Sequence, residues 1–249
     1  MKISVVVAAY NGEKYLKEQL DSIISELEKG DELIVSLDRS TDNSRAVLKQ
    51  WLNDKYDEIV EKELIVFAGY GPGKGALANF EAALSKASGD VIFLADQDDV
   101  WVSGKRRQVI RWFTDKKVMV VLHDAYICDE NLDVMLPSFF ALRQVRRGVL
   151  SNLIKNSYLG CCMAIRRDVV RASLPFPKDL PMHDQWLGLL GESMGRVIIL
   201  KKPLLYYRRH PGTVTDFNHS NTLQMVKWRV NITYNFLKRR TLIRKMRNE

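Results

Sequence analysis

The amino-acid sequence predicts an α/β protein with a mostly parallel central sheet flanked by helices and a C-terminal basic helical extension. Three observations carry this expectation. Short, largely apolar runs alternate with segments whose apolar residues recur at helical spacing through the first 100 residues. The most unusual loops each follow an apolar run, at the strand ends where open α/β sheets bind ligands. Nearly all of the net charge of +8 lies in residues 221–249, where eight Lys and Arg face one acid.

Ile3–Ala9 is an apolar run interrupted only by Ser4 and ending at Tyr10-Asn11-Gly12, the pattern of a strand buried on both faces that breaks into a turn. Leu16, Leu20, Ile23, Ile24 and Leu27 then recur at helical spacing. Glu32–Leu37 reads as a second strand, 41–51 as a second helix, 64–68 as a third strand, 76–87 as a third helix and 91–95 as a fourth strand. The alternation then loosens. Residues 118–122 and 160–165 look like strands, 137–150 like a loop with short turns, 182–194 like a helix, 197–200 and 204–207 like short strands, and 208–217 like a loop. Positions 223, 226, 230, 234 and 237 form an apolar stripe on the basic terminal helix. The expected division is a first half at 1–100, a second half of the same domain at 101–217 and a helical tail at 218–249.

The 46% hydrophobic content suffices for a sizeable core and excludes a disordered or fibrous chain. Cys128, Cys161 and Cys162, odd in number with two adjacent, suit neither a disulfide framework nor a zinc knuckle. A cytoplasmic protein is expected, with peripheral contact to the inner face of a membrane as an option left by the tail.

Asp96, Asp98 and Asp99 fall within four residues directly after a buried strand. They would repel one another unless a cation or hydrogen bonds compensate them, and a hard divalent ion, Mn²⁺ or Mg²⁺, is the natural compensation. Capping of a helix starting at Val100 is the structural alternative. Gly69-Tyr70-Gly71-Pro72-Gly73-Lys74-Gly75 is flexible enough to approach a ligand but lacks both the P-loop ending and dinucleotide-site spacing. Lys105, Arg106 and Arg107 read as a solvated helix face.

Taken together, Val6 to Gly12, Asp38 to Asp42 and Ala95 to Trp101, in that order and spacing, resemble family 2 glycosyltransferases of the GT-A fold. The segments Gly160 to Ala164 and His183 to Trp186 are similar to acceptor-side motifs of bacterial polysaccharide and rhamnosyltransferase-like members, and the resemblance spans about residues 1–215. It implies an inverting, metal-dependent hexosyl- or deoxyhexosyltransferase using a UDP- or dTDP-sugar and a saccharide or lipid-linked acceptor. Ala8, Tyr10, Glu13, Asp38, Lys74, Asn79, Asp96 and Gln97 would border the nucleotide-sugar, with Asp38 accepting from a pyrimidine imide. The chain departs from the family's Asp-Asp-Gly-Ser here, with Leu37 in place of the first acid and Arg39 in place of the glycine. Asp96, Asp98 and His210 would hold the metal. Asp184 would be the catalytic base, although an ordinary aspartate pKa near ~4 makes a weak one. Trp101, Gly160, His183 and Trp186 would face the acceptor. Arg208 and Arg209 would help cover the diphosphate. Simple helix capping remains the alternative for Asp42 and Asp184, and a core role for Trp186.

A sugar-1-phosphate nucleotidyltransferase would show a Gly-rich loop after the first strand, which Tyr10-Asn11-Gly12-Glu13 does not provide. Nucleic-acid binding is not expected, because the basic charge is confined to one segment and the acidic loop opposes phosphates. The tail, 221–249, could lie on an anionic membrane through a face carrying Trp228 and Phe236, pack on the domain, or bind a partner.

Overall fold

The computed structural model describes residues 1–210 and 222–248. The expected loop at 208–217 therefore lies mostly outside the described residues. The chain runs β1 (Ile3–Ala9), α1 (Leu16–Ile24), β2 (Glu32–Leu37), α2 (Ser44–Asp54), α3 (Tyr56–Glu61), β3 (Ile65–Tyr70), α4 (Ala76–Leu84) and β4 (Val91–Asp96). It continues through β5 (Val100–Trp101), α5 (Lys105–Ile110), β6 (Val118–Cys128), β7 (Val134–Leu136), α6 (Phe139–Arg143), α7 (Val149–Ile154) and β8 (Met163–Arg166). The last elements are α8 (Arg167–Ser173), α9 (His183–Met194), β9 (Arg196–Arg208) and α10 (Thr222–Asn248).

One sheet runs through the molecule in the order β3-β2-β1-β4-β8-β6-β9-β5, with β7 paired to β6. Strands β3, β2, β1, β4, β6 and β9 point one way, while β8, β5 and β7 run against them. Apolar side chains on both faces of β1 and β4 are buried under helices, as a parallel sheet requires. The register aligns Ala8 with Ser36 on one side and Asp96 on the other, so the loops after β1, β2 and β4 leave one edge together. Cys128 and Arg208 are likewise paired, which brings the segments after β6 and β9 to that edge.

Several expected elements need correction. The stretch 137–150 contains α6 and the start of α7, with β7 just before it. The two short strands at 197–200 and 204–207 are one strand, β9, whose pairing shifts register around Pro203 and so absorbs the missing N–H. Helix α3 was not expected; it buries no side chain, so it leaves no apolar periodicity to read. No described helix is long and apolar enough to cross a membrane.

Candidate active site

The loops at the carboxyl edge are tied together by side chain to backbone hydrogen bonds. The Gln97 amide accepts from the Tyr10 N–H and donates to the Tyr10 carbonyl at 2.6 Å, locking the β1 loop to the β4 loop. Asn11, at φ 50°, accepts from the Thr41 N–H at 2.8 Å. Glu13 accepts from Asn43, whose Nδ2 lies 2.8 Å away, and donates its own N–H to Asp42 at 2.9 Å. Ala8 is half-buried at this edge, and the Tyr10 ring stands exposed.

Asp38 is buried, and its carboxylate accepts from the N–H groups of Gly73 and Gly75. It thus shapes the glycine loop, with Lys74 exposed between the two donors. Asn79 is a correction. It is buried and uses its amide on the Ser36 hydroxyl, at 2.6 Å, and the Ser36 carbonyl, at 2.9 Å, so it braces the strand end instead of facing the cleft. A Cβ at Gly71 would come within 2.3 Å of its Oδ1, which explains the glycine there.

Asp96 ends β4, and the next element is the two-residue strand β5. No helix begins at Val100, so the capping alternative for the acidic cluster falls. Burial, then the neighbouring Asp98 charge, pushes the Asp96 carboxyl up to about 7. The same causes, burial first, hold Asp99 well above the carboxylate range. Asp99 Oδ1 accepts from the Arg208 N–H at 3.1 Å, while its buried Oδ2 has no hydrogen-bond partner among the described residues. Ligand atoms of Asp96, Asp99 and Cys161 lie within 4.8 Å of one another. Burial keeps the Cys161 thiol protonated, which makes it a poor partner for a hard cation. The carboxylates suit such a cation: they are close, they raise one another's proton affinity, and among the described residues they leave a buried oxygen unsatisfied. His210 joins them, its Nε2 2.9 Å from Asp98 Oδ2 and its ring 4.9 Å from that of Tyr15.

Arg208 holds this loop in place. Its guanidinium donates to the Asp98 carbonyl at 2.7 Å, to the Glu130 carbonyl and to Glu18, and lies 4.4 Å over the Tyr15 ring. It is thereby engaged as scaffold. Lys105 and Arg106 also depart from expectation, because both are buried. The Lys105 ammonium sits 4.1 Å over Trp101 and donates to the Cys161 carbonyl at 3.3 Å, while Arg106 pairs with Asp31 at 2.9 Å.

Asp184 lies in the first turn of α9, but Met182 occupies the N-cap position, so capping does not account for it. Its Oδ1 accepts from the Gln185 N–H and from Asn156 Nδ2, the latter at 3.2 Å. Burial raises its carboxyl to about 6, against the lowering effect of these hydrogen bonds. A Cβ on Gly160 would lie 3.7 Å from Asp184 Cβ, and the ligand atom of the next residue, Cys161, lies within 4.8 Å of those of Asp96 and Asp99, so the 160–161 segment links Asp184 to the acidic cluster. His183 stacks on Phe80 at 3.9 Å, and burial lowers its imidazole to about 4, leaving a neutral ring whose Nε2 has no hydrogen-bond partner among the described residues. Gly160 is packed beneath it: a Cβ there would meet His183 Nε2 at 2.8 Å. Trp186 and Trp101 are corrections. Trp186 is wholly buried, with its indole N–H on the Ser173 carbonyl at 3.1 Å, and Trp101 is 4% exposed against Phe93; neither offers a face to a sugar. Asn156 and the engaged Lys105 had no signal in the sequence, since both depend on chain segments brought from far away.

Residues 4–174 match the sequence pattern of glycosyl transferase family 2. The chain belongs to that family. An uncharacterized glycosyltransferase of Nostoc sp. is 29% identical over 217 residues, which cover 84% of this chain and 65% of that protein. This family 2 chain thus spans about two thirds of that relative's length. The Escherichia coli UDP-Glc:alpha-D-GlcNAc-diphosphoundecaprenol beta-1,3-glucosyltransferase WfaP is 26% identical, over 86% of this chain and 79% of its own. Among solved structures, Staphylococcus aureus TarS 1-349 in complex with UDP-GlcNAc superimposes with a TM-score of 0.63 at 20% identity, covering 92% of this chain and 64% of that one. That likeness shows the GT-A fold.

Proposed function

We propose that this chain transfers a sugar from a UDP- or dTDP-sugar to a hydroxyl of a saccharide or lipid-linked acceptor, with inversion at the anomeric carbon. The observation that carries this reading is the junction at Gly160–Cys161: a Cβ on Gly160 would lie 3.7 Å from Asp184 Cβ, and the Cys161 ligand atom lies within 4.8 Å of those of Asp96 and Asp99. This brings the buried Asp184 carboxylate beside the acidic cluster. In the proposed step the acceptor oxygen bonds to the anomeric carbon, the bond to the diphosphate breaks, and the nucleoside diphosphate leaves with the electron pair. The hydroxyl proton passes to Asp184. With its carboxyl near 6, Asp184 is ionised at neutral pH yet more basic than an ordinary aspartate, in the range where general bases supply ~10²–10⁴-fold.

Asp96, Asp98 and His210 would hold Mn²⁺ or Mg²⁺, whose charge would offset that developing on the diphosphate; the His210–Asp98 contact supports this set, and Asp99, grouped with Asp96, is a further candidate ligand. Support for a metal comes from the Pyrobaculum calidifontis mannosyltransferase, solved with GDP-Man and Mn²⁺ at a TM-score of 0.58. The name of the Escherichia coli relative specifies a UDP-glucose donor and a diphosphoundecaprenol-linked acceptor, and a Shigella flexneri relative, 23% identical, is named a dTDP-rhamnosyl transferase. Ala8, Tyr10, Glu13, Lys74 and Gln97 remain candidates for contacts to the nucleotide; an imide at Asp38 would have to share oxygens with Gly73 and Gly75. Incubation with UDP- and dTDP-sugars and a diphosphopolyprenol-linked saccharide tests the reading. Metal-dependent release of UDP or dTDP is expected, whereas release of pyrophosphate would mean nucleotidyl transfer instead.

A further inference from the structure

Helix α10 has two apolar faces. One is docked: Ile232 and Phe236 are buried, Trp228 and Ile243 partly so, and α10 packs on α7, α8 and α9. Polar anchors fix it there. Asn231 Nδ2 donates to the carbonyls of Lys178 and Asp179, at 3.1 and 2.8 Å. The Arg239 guanidinium donates to those of Ala172, Leu174 and Pro175, at 2.6, 2.9 and 2.7 Å, a cation set at the carboxyl end of α8 where the helix dipole favours it. Phe236 is thus turned away from the face that the sequence expectation gave it.

The other face is in water. Val226, Val230, Tyr234 and Leu237 recur every three or four residues on the side opposite Ile232 and Phe236, and are 48, 64, 63 and 54% exposed. Helical geometry places the exposed Lys227, Lys238 and Lys245 along one border of this row and Arg229 along the other, with Arg244 beside the row itself. From 222 to 248 the sequence has eight Lys and Arg and no Asp or Glu.

We propose that this outward face of α10 is a docking surface for an anionic lipid bilayer. A row of apolar side chains bordered by cations matches the boundary between acyl chains and negative headgroups. A second copy of the chain would bring the same cations against one another, and a nucleic acid would leave the apolar row uncovered. Because α10 is anchored just before His183 and packs on α9, the bilayer would hold the helix carrying Asp184 at a fixed orientation.

The test is sedimentation of the full chain, without donor or acceptor, with vesicles of pure phosphatidylcholine and with vesicles containing a substantial fraction of phosphatidylglycerol. Binding only to the anionic vesicles, weakening with salt, is expected. At about fivefold per charge, the combined Lys227→Glu, Lys238→Glu, Lys245→Glu variant should bind at least on the order of a hundredfold more weakly. Val230→Ser with Tyr234→Ser and Leu237→Ser should also lose binding. Both variants should keep the parent melting temperature, since the altered side chains are exposed. Absence of binding by the parent chain, equal binding to both vesicle types, or unchanged binding by either variant would overturn the proposal. So would a dimer that dissociates in the serine variant while vesicle binding stays intact. None of these outcomes depends on the transferase reading.

Discussion

Asp184 is buried, and the donors that steady its charge, Asn156 and backbone N–H groups, do not outweigh that burial, so its proton affinity is raised. As a base it works only when ionised. The transfer rate, as kcat/KM, is therefore expected to fall as pH drops through about 6 and to level off above it. Asp184→Asn should keep nucleotide binding, lose ~10²–10⁴-fold in turnover and lose that pH step; an unchanged rate would remove Asp184 from the mechanism. Trp186 separates a core role from a sugar platform. Because it is wholly buried, Trp186→Ala should cost about 3–5 kcal/mol of stability, read as a denaturation midpoint, whereas Trp186→Phe should leave the acceptor KM unchanged. The motif around Asp184 was legible in the sequence. Its basicity was not, because the residues that bury and hydrogen-bond it, Asn156 among them, arrive from elsewhere in the chain.

Strand β2 starts with a charge clamp. Burial alone would raise the Glu32 carboxyl, but Lys2, the Ser4 hydroxyl and Ser88 outweigh it and bring it to about 2. A folded-state value below the unfolded one contributes stability above the unfolded pKa, and that contribution is lost as pH falls through the folded value. The loss should fall between about pH 4.5 and 2 and amount to roughly 2 kcal/mol, discounted because Lys2 is partly exposed. Urea titrations across that window, with Glu32→Gln flattening the slope, check it. Elements with a single clear signal were legible: β1, β2 and β4 as short, largely apolar runs, α9 as a helix. The terminal helix was harder. Its stripe at 226, 230, 234 and 237 was visible, but a second apolar row opposite it had to be assigned to the core by tertiary packing, and the stripe proved to be the outer one. Lys105 failed for a related reason: a lysine followed by two arginines reads as solvent-facing until Trp101 and the Cys161 carbonyl are seen to receive it.

For the whole molecule, the first consequence of a formed donor site is mass action. UDP or dTDP at a hundred times its dissociation constant, with Mn²⁺ present, should stabilise the fold by ~2.7 kcal/mol. For a chain of this size that is a rise of roughly 5–10 °C in Tm, and EDTA should abolish it; no shift with any nucleotide and metal would remove the acidic cluster from the donor site. The sheet order also has a consequence for synthesis on the ribosome. Strand β4 has its outer neighbour in β8, so the apolar run Val91 to Ala95 is complete long before Met163 to Arg166 emerge to cover its free edge. At ~5–20 residues per second that interval lasts several seconds. Through it the nascent chain carries an unpaired, fully apolar strand edge, the kind of template on which neighbouring chains assemble. Translation pauses between residues 96 and 163 should therefore lower the soluble yield more than pauses placed after 166, and holdase chaperones should crosslink to the chain mainly within that window.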